Sequence, residues 1–128
     1  MKSILIAGSD PNFRYQLTQV LEPLREDYEL CLVDTSKELR DLLETMEWDL
    51  LVLDLDARDD LALEGLARIA QLHACIPIVA LGQDIAPDIA GYSERYPDLY
   101  FPCLSYLRKP VSDRRLLETV RVELCYSA

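Results

Sequence analysis

Short, solidly apolar runs alternate along the chain with stretches in which apolar residues return every third or fourth position. "KSILIAG" is a run rich in Ile and Leu and reads as a buried strand ended by Gly8. Asp10 and Pro11 then open a helix, with Asp as N-cap and Pro at the first helical position. Its apolar positions Phe13, Leu17, Val20, Leu21 and Leu24 keep the helical period, and Pro23 disturbs the final turn. "YELCLV" is a second strand. Thr35 and Glu38 form a T-x-x-E capping box for a helix running to about Glu47. "DLLVLD" is a third strand, apolar at every position before its final aspartate and so covered on both faces. Leu61, Leu63, Leu66, Ile69, Ala70 and Leu72 mark a third helix, and "IPIVAL" is a fourth strand. From Gly82 to Pro102 the pattern is poor, and Pro87, Gly91, Pro97 and Pro102 interrupt any long helix, so the fourth helix is expected to be irregular. "CLSYL" is a short fifth strand ended by Lys109-Pro110. Ser112 caps a last helix that carries Leu116, Leu117, Val120 and Leu124.

Five β-α repeats of this length predict an α/β fold with a parallel sheet and helices on both faces, because each parallel connection needs a crossover. No linker or low-complexity tract divides the chain, so residues 1–128 are expected to form one domain. In open sheets of this kind, ligands bind beyond the carboxyl ends of the strands. That rule gathers Gly8, Ser9, Asp10, Asp54, Asp56, Gly82 and Lys109 around one crevice.

Composition narrows the classes without naming a partner. Half of the 128 residues are hydrophobic and 28% are charged, as in ordinary globular proteins. No apolar run approaches the length of a membrane span, and Lys2 is followed only by "ILIAG" before polar residues begin, which does not read as a secretory leader, so none is expected. Cys31, Cys75, Cys103 and Cys125 are far apart with no C-x-x-C pair, and suit reduced thiols in a cytoplasmic protein. A net charge of −10 and a pI near 4.4 argue against nucleic-acid binding, which requires a basic surface.

The crevice carries the chemistry. An aspartate at a strand end can act as a nucleophile toward a phosphoryl donor. That reaction calls for a positive side chain and a divalent cation to neutralise the phosphoryl oxygens. Asp54 supplies the nucleophile and Lys109 the fixed charge. Magnesium would want further carboxylates, and Asp10 and Asp56 are the additional acids near the crevice, a weak substitute metal set with Asp54. Each has a plainer reading: Asp10 as an N-cap, Asp56 as a solvated loop residue, Asp59 and Asp60 as caps of the third helix.

Taken in order, these motifs resemble the receiver domain of two-component response regulators across essentially the whole chain. "WDLLVLDL" is similar to the family's third strand and puts the phosphoacceptor role on Asp54. "YLRKPV" is similar to its lysine-proline motif and puts the phosphate contact on Lys109. Tyr106 matches the family's switch aromatic, and Gly82 stands where its switch Thr or Ser would be. The resemblance implies a flavodoxin-like sheet in the order 2-1-3-4-5. It also implies a cis Lys109-Pro110 bond, whereas general X-Pro statistics favour trans.

The departures from that pattern are chemical. Receivers end their first strand with two acids that hold magnesium, and "ILIAGSDP" has Gly8 and Ser9 there. Gly82 has no hydroxyl, and "DARDDLA" keeps none of the usual landmarks after the phosphoacceptor. The pattern resembles an atypical receiver, or pseudo-receiver, a non-enzymatic module in a phosphorelay that acts through protein contacts. Mg2+ as a cofactor is doubtful on these grounds.

Two alternatives stand beside it. One is a working phosphoacceptor charged by a histidine kinase. The other rests on "VLDLDA", which also resembles the D-x-D motif of haloacid-dehalogenase-type phosphatases, with Asp56 as acid-base. That family expects its lysine before the later acidic motif, and Lys109 follows it. Tyr92, Tyr96, Tyr100, Phe101 and Tyr106 form a tyrosine-rich set suited to a partner face, for a signalling protein or a second copy of the chain.

Overall fold

The computed structural model describes residues 2–8, 10–54, 76–82 and 104–126. Strand β1 spans Lys2–Ala7, helix α1 Pro11–Val20, β2 Tyr28–Val33, α2 Ser36–Thr45, β3 Leu50–Asp54, β4 Ile78–Gly82, β5 Leu104–Arg108 and α3 Asp113–Tyr126. The five strands form one parallel sheet in the order β2-β1-β3-β4-β5. This is the sheet expected from the sequence. The third helix expected over Leu61–Leu72 and the irregular segment after Gly82 lie outside the described residues.

The first helix ends where Pro23 disturbs it, as expected, and the second stops within two residues of Glu47, each for a local reason. Helix α1 stops at Val20, and a 3-10 turn follows over Glu22–Leu24. Pro23 has no N–H to donate and its ring crowds the carbonyl four residues back, so the α-helix cannot run on to Leu24. Helix α2 ends at Thr45, ahead of Glu47, where Met46 turns to an extended backbone. The Leu42 carbonyl near its end accepts both the Met46 N–H and the indole N–H of Trp48, the latter at 2.9 Å. That second bond ties the segment entering β3 to the end of the helix. The three N-caps stand at the expected residues: Asp10 accepts from the Asn12 N–H, Thr35 from the Glu38 N–H, which is one half of the expected capping box, and Ser112 from the Arg115 N–H.

The strands set the faces. Ile4, Ile6, Leu50, Val52, Val79, Leu81 and Leu107 share one side of the sheet. They form a single buried core with Phe13, Leu17 and Val20 of α1 and Leu116, Val120 and Leu124 of α3. Leu5, Ala7, Leu51, Leu53, Ile78 and Ala80 alternate with them, pointing to the other side, and are equally buried. Burial on both faces explains why β3 and β4 read as unbroken apolar runs.

Candidate functional site

The period-two geometry of the strands assembles the site. Gly8 continues the parity of Ile4 and Ile6, Asp54 that of Leu50 and Val52, and Lys109 that of Leu107. All three therefore emerge on the face covered by α1 and α3. Ala7 pairs with Leu53 across β1 and β3, so Gly8 and Asp54 are neighbours at the carboxyl ends of adjacent strands. The Lys109 N–H donates to the Gly82 carbonyl at 2.8 Å, which ties the lysine to the end of β4 through its backbone. The Lys109-Pro110 peptide bond is cis.

Asp54 is only 2% exposed, one of the few polar residues in the described core. A carboxylate so placed has lost most of its hydration, a cost of several kcal/mol unless a charge compensates it. Lys109 provides that charge: its Nζ donates to Asp54 Oδ1 at 2.8 Å, from a side chain 22% exposed. The same ammonium lies 5.2 Å from the centroid of the Phe13 ring, within cation–π range. Lys109 is thus held between a carboxylate and an aromatic face.

Gly8 explains how Phe13 reaches so far in. A Cβ built on Gly8 would lie 2.6 and 2.7 Å from two ring carbons of Phe13 and 3.2 Å from the Cβ of Asp54. Position 8 therefore faces Asp54 directly, and the space a side chain would use there is filled by the ring. Neither contact was legible in the sequence as such. Phe13 read as an ordinary core position of a helix and Gly8 as a missing acid. A glycine closing a strand is, however, a recognised sign of close approach by another group.

Asp10 borders the cleft that Phe13 and Lys109 also line, at the start of α1. It is exposed, and its Oδ1 accepts the Asn12 N–H at 2.9 Å, the N-cap role that its position before Pro11 implies. Asp56, Tyr92, Tyr96, Tyr100 and Phe101 lie outside the described residues. Tyr106 sits in β5 with its backbone paired to Ala80, and Gly82 pairs with Arg108. Beside Lys109 an open cleft runs between α1 and the segment entering α3. Its floor is fixed where Gln16 Nε2 donates to the Val111 carbonyl at 3.3 Å and to Asp113 Oδ1 at 3.2 Å.

A divalent magnesium ion seeks several hard oxygen donors in octahedral array. The described residues at this crevice do not fit it. Asp54 gives one carboxylate, already engaged by an ammonium, Gly8 gives none, Asp10 caps α1 through one oxygen, and an aromatic ring fills the space a side chain at Gly8 would use. Among the described residues no group of three or more His, Cys, Asp or Glu side chains could hold a metal ion. Cys31, on β2, is a free, half-buried thiol. Burial, with Glu29 and Glu38 adding negative charge nearby, pushes its pKa up, which keeps it a neutral thiol.

No protein-family model and no curated protein matches the sequence. Solved structures do match, over nearly the full chain. The signal receiver domain of an HD domain-containing protein from Pseudomonas fluorescens is 25% identical with a TM-score of 0.77, covering 98% of this chain and 96% of that one. A CheY-like response regulator receiver domain protein from Methanospirillum hungatei is 24% identical with a TM-score of 0.78, covering 99% and 96%. The Thermotoga maritima response regulator TrrA, solved in complex with Mg(2+)-BeF, is 23% identical with a TM-score of 0.73, covering 96% and 99%. With the strand order 2-1-3-4-5, these likenesses define the class: the chain has the CheY-like, flavodoxin-like fold of response-regulator receiver domains.

Proposed function

We propose that this protein is a non-enzymatic signalling module of the two-component type, an atypical receiver that meets its partner proteins through its surface without being switched by phosphorylation. One observation carries the reading. The residue in the phosphoacceptor position, Asp54, is buried and paired with Lys109 at 2.8 Å, while the neighbouring strand end offers it a glycine and a phenylalanine ring. Phosphoryl transfer to a carboxylate depends on charge stabilisation that a metal ion ordinarily supplies, worth several kcal/mol in the transition state. The described part of this site has the lysine alone for that task. The Asp54–Lys109 pair serves instead to hold the ends of β3 and β5 in one arrangement, and with them the surface that partners read. Histidine kinases or other signalling proteins are the partner class that this reading implies.

Incubation with magnesium and a small-molecule phosphodonor, followed by intact-mass measurement beside Asp54→Asn, tests it. The expected result is no phosphoryl adduct on the native chain. An adduct present on the native chain and lost in Asp54→Asn would replace this reading with that of a working phosphoacceptor.

A further inference from the structure

We infer that Phe13 is a built-in plug: its ring takes the volume through which a side chain at the end of β1 would reach Asp54, and it holds Lys109 there as the resident cation of the site, so that the crevice refuses a divalent ion. The inference rests on the receiver reading of the site, and it explains why losing an acid at position 8 is not a simple deletion. Removing a carboxylate from a polar crevice would leave water beside Asp54. Here an aromatic side chain, 4% exposed, lies where that side chain would be.

Three observations on different residues agree. The clash distances of 2.6 and 2.7 Å involve ring carbons along one edge of Phe13, and the ring is seated in the core with Leu17 and Val20 below it on α1. It therefore cannot step aside as a surface side chain would. The ring also lies 5.2 Å from the Lys109 ammonium, a favourable site for a monovalent cation on a tethered arm. A magnesium ion would instead lose oxygen donors on the side the ring covers. Finally, Asp10, the acid nearest in sequence to the plug, is committed to the cap that starts the plug's own helix, since its Oδ1 binds the Asn12 N–H. The helix that delivers the ring thus also engages one oxygen of that acid.

The plug predicts a specific non-additivity, because residues in contact couple. Gly8→Asp alone restores an acid facing Asp54 and drives it into Phe13, and Gly8→Asp with Phe13→Ala opens the room that acid needs. Magnesium chloride titrations, followed by amide NMR shifts and by calorimetry on the full chain, are the readout. We expect the native chain and Gly8→Asp to show no saturable response at millimolar magnesium. Gly8→Asp should also unfold at lower urea. The double variant should bind saturably, at least tenfold more tightly than the native chain.

Saturable binding by the native chain would overturn the inference. So would equal binding by Gly8→Asp and the double variant, or a folded double variant that stays unresponsive. Should the double variant fail to fold, the native titration decides alone: flat amide shifts of Gly8, Asp54 and Lys109 support the plug, and saturable shifts reject it. A phosphoryl adduct on a native chain whose magnesium titration is flat would defeat the proposed function and leave the plug standing.

Discussion

Lys109→Met is expected to destabilise the protein by about 3 kcal/mol, read as a lower urea midpoint with an unchanged slope. The isostere keeps the apolar stem and removes the ammonium that sits 2.8 Å from Asp54 Oδ1. What remains is a carboxylate 2% exposed that has lost this charge partner. Breaking a buried ion pair from one side leaves the other charge with its desolvation cost, which is why the loss exceeds the net worth of the pair. The opposite truncation is not symmetrical. Asp54→Asn removes the charge that is deep, and leaves a lysine whose side chain, 22% exposed, can turn its head to water. It should cost only about 1–2 kcal/mol. Combining Asp54→Asn with Lys109→Met exchanges an ion pair for neutral groups, and should recover much of what Lys109→Met alone loses. If Lys109→Met proved as stable as the native protein, the pair would have no structural role and the reading of the site as a structural lock would be wrong.

Phe13→Ala carries the other large effect, a loss of about 4 kcal/mol. The side chain is 4% exposed and belongs to the core shared by the sheet, α1 and α3. Its removal forfeits the transfer free energy of a buried aromatic, leaves a cavity, and withdraws the ring face from the Lys109 ammonium. The cavity would open beside Gly8 and Asp54, at the strand ends, where water can enter from the cleft lined by Asn12, Gln16 and Lys109. Tyr15, two residues along the same helix and 69% exposed, is the control. Tyr15→Ala should shift stability by no more than about 0.5 kcal/mol, as surface changes generally do. Urea denaturation of both variants separates the roles: equal, small effects would mean that Phe13 is not seated as a core group.

A stable domain of this size has a margin of about 5–15 kcal/mol over its unfolded state. Each of these two substitutions is therefore expected to remove a large share of it. That is the behaviour of residues that hold a shape, and it is the reason that stability and magnesium response must be measured together on every variant at this crevice.

How much of this was legible beforehand follows from what each signal encodes. Apolar runs and helical periods are local, and they located all five strands, the two described helices before β3 and the last helix to within a few residues. Gly-, Pro- and cap-forming residues placed most boundaries, while the shared Leu42 carbonyl at the end of α2, which accepts both the Met46 N–H and the Trp48 indole, is written in no such residue. The strand-end position of Asp54 and the lysine before Pro110 were legible for the same reason, since parity along a strand and the rule of ligands at carboxyl ends are properties of the sequence pattern. By itself, then, the sequence determined a parallel α/β domain with an aspartate and a lysine converging at its upper edge.

Only the tertiary structure decided what surrounds them. A helical period says that Phe13 faces inward, but not which strand end it covers. That depends on the register of β1 against β3 and on the crossing of α1 over both. The contact of Phe13 with Gly8 and Lys109 joins three elements, and no periodicity within any one of them contains it. Parity fixes the face on which a side chain emerges. Packing, in which two groups cannot occupy one volume, fixes what it meets there, and at this crevice the volume a Gly8 side chain would use belongs to an aromatic ring.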